Sequence, residues 1–463
     1  MYYLMKGGTC MYKAYPIEIL ENGDDILIYP GKLKLPHIHT ISFGSLSVRG
    51  KAGRSNSNQP IIKISRSLAE QLKIPEFPVK LHMFVKEGQL FLGPVVGIFT
   101  EGFTSFPDSP LGTRSYAFSR YFIHFTQAGI LPVIFGVNHI HWDQGIITGY
   151  IFYENKWRQL EVPLPNVIYD RIPNRKVENL PLIQNVKKRL QEEYAIPWFN
   201  PGFFSKLEVY KLLNKNPETK IYLPETVPFT NRRQLETMLS KYNFLYIKPD
   251  SGSHGNGIFR IRTTGGKIYI SERENHLIRF ASVSRAFSFL EKHTNITPYL
   301  IQQGIPLITR EHRTVDFRLH TNRNAEGKWQ VTAMAGKVAA RNGITTHILS
   351  GGEVITLEQL FPEPEQNKKI RKKLADASLT ISEHLETSAD GILGEIGFDF
   401  GIDKKEKVWL LEANAKPGRL IFKHPEIKKY ERYINRTLFH FTIYLTERVV
   451  KQPEQLFKNL ILQ

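Results

Sequence analysis

Residues 243–271 read NFLYIKPDSGSHGNGIFRIRTTGGKIYIS, the stretch that most restricts what the chain can fold into. An apolar strand carrying Lys248 runs into a loop with Gly252, Gly255 and Gly257, and the chain continues as two alternating strands, IFRIR and KIYIS, across Thr263 to Gly266. Glycines leave backbone N–H groups open to phosphate oxygens, because no Cβ blocks the approach. A P-loop needs GxxxxGK[ST] ahead of a helix and a dinucleotide fold needs GxGxxG ahead of a helix, whereas this loop opens a β-hairpin. Two readings remain, a phosphate-covering flap between antiparallel strands or plain hairpin turns.

A second signal lies in GEIGFDFGIDKKEKVWLLEANAKPG, residues 394–418, which reads as two strands joined by a charged turn at Asp403 to Lys407. Glu412 and Asn414 are two apart and share a strand face, and hairpin pairing puts Asp399 nearly opposite Glu412. Carboxylates at the end of apolar strands are costly to bury unless a cation joins them. Magnesium on nucleotide phosphates answers that need, since it takes one or two protein carboxylates, phosphate oxygens and water. A solvated pair of edge acids is the plainer alternative.

The rest of the chain supplies the setting. At 463 residues it has material for roughly three folding units, and its 41% hydrophobic and 23% charged residues are those of a globular protein. The longest apolar run, Ala128 to Val137, is broken by Gly129, Pro132 and Gly136, so no membrane span is expected. The opening segment lacks the pattern of a secretory signal, and Cys10, the only cysteine, rules out a disulfide within the chain and fits a cytoplasmic life. Sixty-two basic against 44 acidic residues leave +18, which favours anionic partners.

Residues 1–94 read as a β-rich N-terminal domain, with strands on either side of a turn at Glu87-Gly88 and a polar loop at KAGRSNSNQP, residues 51–60. Residues 95–180 alternate a VVGIF strand, a helix over SYAFSRYFIHFTQAG, and the strands ILPVIFGV and PNVIYDRI, a β-α-β domain with a parallel sheet. Helices are expected from Leu182 to Leu213, and again from Asn231, a plausible N-cap, to Lys241.

With these motifs in order the chain resembles the ATP-grasp superfamily and, within it, the YheC/YheD family of endospore coat-associated proteins. KPDSGSHGNG resembles the grasp loop, ITPYLIQQGI (296–305) the hinge strand that holds adenine, DFRLH (316–320) the Asp-x-Arg strand, and FDF with LLEANAKPG the metal strands. The resemblance implies an α/β (α+β) ATP-grasp fold over residues 181–463, with the flap at about 240–305 behind the two preceding domains.

By that resemblance Lys206 and Lys248 contact nucleotide phosphate, and Ser253, His254, Gly255, Asn256 and Gly257 cover it through backbone groups. Gln302, Gln303 and Ile305 face adenine, although the two glutamines stand where many members of the superfamily carry a glutamate for the ribose. Arg318 steadies the transferring phosphoryl group, a task suited to a planar guanidinium fork, and Lys337 and Arg341 extend a positive floor. Asp399, Glu412 and Asn414 hold magnesium, for which manganese can substitute.

The implied activity is an ATP- and magnesium-dependent ligase joining a carboxylate to an amine or thiol through an acyl phosphate. Its substrate would be an anionic or carboxylate small molecule or peptide, with spore-coat association. No Ser-His-Asp or Cys-His set calls for a protein nucleophile. The competing classes are a catalytically silent ATP-binding coat component and a nucleic-acid binder; the latter rests on charge alone and lacks a zinc finger, RNP1-type motif or basic helix.

Overall fold

The computed structural model of the chain describes residues 13–21, 25–252, 257–272, 277–294, 298–341, 343, 345–387 and 391–456. Among these residues the strands assemble into four sheets.

The first sheet is built from residues 15–93, with Lys80–Lys86 and Gln89–Gly93 antiparallel about the expected turn. The polar loop expected at 51–60 starts later than its composition indicates. Lys51–Arg54 is an edge strand parallel to Ile26–Tyr29, and an edge open to water tolerates the same polar residues as a loop.

In the second sheet Val95–Phe99 lies between Leu131–Phe135 and Val167–Asp170, parallel to both. Every residue of the first two strands is buried, as parallel strands covered on both faces require. The helix Ser115–Phe125 makes the crossover. The expected helical run from Leu182 to Leu213 is interrupted: Pro181–Glu192 and Lys206–Leu213 flank the short strand Trp198–Phe199, parallel to Val167–Asp170. Pro197 and Pro201 bracket that strand, each disfavouring helix in the residue before it.

The third sheet is antiparallel throughout. Phe244–Pro249 runs between Phe259–Thr264 and Tyr299–Gln303, so the glycine loop does open a hairpin. Asn231 Oδ1 accepts from Gln234 N at 3.0 Å and caps the helix Arg232–Lys241, which helps to cover this sheet. In the fourth sheet Arg313–Arg323 lies between Trp329–Val338 and Glu395–Ile402, and the latter pairs with Val408–Asn414.

Three apolar clusters hold these layers. One spans the first two sheets and the C-terminal helix Lys428–Lys451. The second lies between the fourth sheet and the helix Pro364–Glu386, and the third belongs to the flap sheet. No helix among the described residues is long and apolar enough to cross a membrane.

Candidate functional site

Strand alternation sorts the DFRLH and FDF segments into two faces. Phe317, Leu319, Phe398 and Phe400 are buried in the core under Pro364–Glu386. On the opposite face the register places Arg318 beside Asp399 and Asp399 beside Glu412 across three adjacent strands, with Asp316 beside Lys337. Directly paired residues in antiparallel strands project to the same side, so one sheet face gathers five charged groups.

Their contacts are close. Arg318 Nη1 lies 2.8 Å from Asp399 Oδ2 and Lys337 Nζ 2.7 Å from Asp399 Oδ1. Lys337 also lies 3.0 Å from Asp316 Oδ1, off the direction of a hydrogen bond, so this contact is an ion pair. Thr346 Oγ1 donates to the other oxygen of Asp316. From the helix Lys206–Leu213, Lys206 Nζ reaches Glu412 Oε1 at 3.1 Å and donates to Gly252 O at 2.9 Å.

Burial sets the charge states. It opposes ionisation of Asp399, but Arg318 and Lys337 outweigh it and hold that carboxyl at about 2. Burial and the neighbouring Asp399 raise Asp316, against the pull of Lys337. Burial lowers Lys248, and the charge of Lys206 adds to it, bringing the amine to about 8. His320 is fully buried; burial, then Arg318 and Arg419, push its pKa far down, and neither ring nitrogen has a hydrogen-bond partner among the described residues.

The face borders two cavities. The larger, about 800 Å³, is lined by Lys248, Gln302, Gln303, Ile305 and Asp316, and by Arg260 and Arg262 from the flap sheet. The smaller, about 470 Å³, is lined by Arg318, Asn414 and Lys416, among others. Lys206, Lys337, His347, Asp399 and Glu412 line both. Lys248 Nζ donates to Leu411 O at 3.1 Å, next to Glu412. The hinge glutamines are engaged sideways: Gln302 Nε2 donates to Thr226 Oγ1 at 2.9 Å, and Gln303 Oε1 accepts from Glu225 N at 3.1 Å.

Gly257 has φ +70°, and a Cβ there would meet the Tyr299 hydroxyl at 2.7 Å, so the turn that leads into the strand Phe259–Thr264 has a position that needs glycine. Ser253, His254, Gly255 and Asn256 lie outside the described residues. Arg341 is not brought to the cluster; it is exposed in the turn after Trp329–Val338 and lines neither cavity.

Asp399, Glu412 and Asn414 offer two carboxylates and an amide oxygen on adjacent strands, hard donors of the kind magnesium takes. Three cations already balance these carboxylates, and no group of three His, Cys, Asp or Glu arranged for a metal occurs among the described residues. The residues therefore fit a cation shared with phosphate, with the amide as third protein donor.

Beneath the site lies a network that sequence patterning did not identify. Lys416, two residues past Asn414, is buried with Nζ 2.6 Å from Asp170 Oδ1 and 2.7 Å from Glu178 Oε1. Lys187 joins Asp170 at 2.7 Å. Next to it Glu395 is paired with Arg171 and Arg419 and accepts from the Tyr169 hydroxyl. Asp170 and Lys416 are 246 positions apart, beyond any local spacing rule. Arg260 and Arg262, by contrast, alternate around buried Ile261, a signal that was available.

Residues 195–445 match the profile described as YheC/D like ATP-grasp. The chain is 39% identical over 452 residues to the endospore coat-associated protein YheD of Bacillus subtilis, covering 96% of this chain and 99% of that protein. To YheC of the same organism, also named endospore coat-associated, it is 24% identical over 67% of this chain and 84% of that one. Among solved structures, a D-alanine–D-alanine ligase from Bacillus anthracis aligns with 78% of this chain and 99% of its own at 13% identity and a TM-score of 0.48. By its profile match and its identity to YheD along nearly the whole chain, this protein belongs to the YheC/D-like family of ATP-grasp proteins.

Proposed function

We propose that the chain is an ATP- and magnesium-dependent ligase that joins a carboxylate to an amine through an acyl phosphate, in the coat-associated setting named for its relatives. The observation that carries this reading is the charged face of Arg318, Lys337, Lys206, Asp399 and Glu412, set where two cavities meet. The larger cavity would take the nucleotide, with Lys248 at its phosphates and the hinge at its base. The smaller would take the carboxylate.

In the first step a carboxylate oxygen bonds to the γ-phosphorus while the bond from that phosphorus to ADP breaks. In the second an amine nitrogen bonds to the acyl carbon, phosphate leaves and the amine gives up a proton. ATP, carboxylate and amine thus become ADP, phosphate, amide and a proton. Arg318 and Lys337 hold positive charge where the transferring oxygens gather negative charge, the kind of fixed electrostatic assistance on which phosphoryl transfer depends. The Lys337–Asp316 contact would keep Lys337 in place were Asp399 to hold a metal. Magnesium on Asp399, Glu412 and Asn414 would neutralise phosphate charge and fix its geometry.

The test is phosphate release from ATP and magnesium across amino acids, short peptides and acidic polymers. At least one class should provoke turnover, and Arg318→Ala should cut it about 10²-fold with a much smaller change in ATP affinity. ATP binding without turnover in any class would replace this reading with a silent binding module.

A further inference from the structure

We propose that the smaller cavity selects a carboxylate substrate carrying a second anionic group, an acidic amino acid or the acidic end of a peptide, and that Arg175 and Lys176 hold that second group. This rests on the ligase reading and names its substrate class.

The argument begins with charge accounting in that cavity. Six cationic side chains line it: Arg175, Lys176, Lys206, Arg318, Lys337 and Lys416. Four are matched by carboxylates, Lys206 by Glu412, Arg318 by Asp399, Lys337 by Asp399 and Asp316, and Lys416 by Asp170 and Glu178. Arg175 and Lys176 are the two that have no carboxylate within ion-pair distance among the described residues. The acids lining the cavity, Asp399 and Glu412, are those assigned to the metal. A pocket with two unmatched cations favours a ligand that brings negative charge beyond the carboxylate to be activated.

The pair is also held in place. Arg175 and Lys176 open the short helix Arg175–Glu178, where Asn174 Oδ1 accepts from Val177 N at 3.0 Å. The last residue of that helix, Glu178, accepts from Phe203 N at 3.2 Å and lies 2.7 Å from Lys416 Nζ. The two cations are thereby tethered through a buried ion pair to the loop that follows Asn414. Arg175 donates to Phe204 O and its guanidinium lies 5.7 Å from the centre of the Phe203 ring. One bond and one ring contact restrain it while leaving most of its five N–H donors for a ligand.

Size and the remaining wall narrow the ligand further. A volume of about 470 Å³ equals on the order of fifteen water volumes, which suits an amino acid or the end of a peptide. Phe204, Ile348, Leu420 and Ile421 also line it. Apolar walls together with two cationic stations match two anionic ends separated by methylenes, as in glutamate.

The experiment supplies hydroxylamine as a common amine and compares phosphate release with glutamate, glutarate and alanyl-glutamate against glutamine, butyrate and alanyl-glutamine, which lack the second carboxylate, alongside calorimetry of glutarate binding. The acidic substrates should lead by roughly ten- to a hundredfold in kcat/KM, the range of a charge-assisted contact. In Arg175→Ala/Lys176→Ala that ratio should fall towards one through a rise in KM for the acidic substrates, with a much smaller change in kcat. Lys176→Gln, at an exposed position, should lose part of the preference without disturbing the fold. A lead for alanyl-glutamate over glutamate would identify a peptide end rather than a free amino acid. Turnover with no preference for the second carboxylate, or loss of turnover with and without it alike in the variants, overturns this inference and leaves the ligase reading standing. Glutarate binding that depends on Arg175 and Lys176 without any turnover does the reverse. Absence of both binding and consumption of the dianions overturns the inference.

Discussion

Lys248 is the residue whose chemistry is most exposed to pH. Its amine is buried, and burial together with Lys206 brings its pKa down to about 8. The charged form is the one that attracts phosphate. ATP affinity should therefore be complete below about pH 8 and weaken as pH rises through that value, by up to about tenfold per pH unit for a single linked proton. In Lys248→Arg the guanidinium stays charged and the profile should flatten. Calorimetric titration of ATP between pH 6.5 and 9.5 checks it; an equally flat wild-type profile would remove Lys248 from the phosphate site. At this scale the sequence was readable wherever a residue announced itself within its own strand. Asp399 opposite Glu412 follows from alternation and pairing, and Lys248 stands visibly ahead of a glycine loop, while the roles given to Lys248 and to Arg318 in DFRLH come from the family resemblance. Lys416 did not announce itself, because its partner Asp170 comes from the second sheet.

At the scale of the element, the strand Glu395–Ile402 carries both Asp399, proposed here as a magnesium ligand, and the fit of its neighbours. Gly397 sits where a Cβ would lie 2.5 Å from Pro417 Cβ and 3.4 Å from Arg318 Cζ. Gly397→Ala must push the NAKPG loop or the guanidinium aside, at a cost of about 1–3 kcal/mol. Its denaturation midpoint should fall accordingly, and turnover should drop more than ATP affinity if Arg318 has the role proposed for it at the transferring group. A variant with wild-type midpoint and turnover would mean that the strand has slack there. Periodicity located this hairpin and the flap because their turns and alternation are local. It misjudged Lys51–Arg54, whose strand character comes from pairing with Ile26–Tyr29 rather than from its own polar composition. It expected helices over Leu182 to Leu213 without marking the short strand between them at Trp198–Phe199, two aromatic residues drawn into the second sheet by Val167–Asp170.

At the scale of the molecule, the flap sheet has an apolar core of its own, while the core of the first two sheets also takes in the C-terminal helix. Besides the apolar contacts of that core with Ala333 and Ala335, the second and fourth sheets are joined through buried ions, Asp170 with Lys187 and Lys416, and Glu395 with Arg171 and Arg419. Removing one partner of such a set leaves uncompensated charge in the interior. Asp170→Asn should therefore cost about 3–5 kcal/mol, read as a lower urea midpoint, and a loss below 1 kcal/mol would show that water or Glu178 compensates. The layers themselves could be inferred from strand and helix texture, but which layer bonds to which depended on contacts between distant segments.

The balanced face of the fourth sheet has a kinetic consequence. Arg318, Lys337 and Lys206 meet Asp316, Asp399 and Glu412 charge for charge before any ligand arrives. Such a face exerts little pull at a distance. Recruitment of an anion from solution falls to the +18 of the whole chain, a field that ordinary salt screens beyond about 8–10 Å. Ionic strength thus acts on encounter, whereas the step after contact, in which buried partners are exchanged, proceeds largely out of its reach.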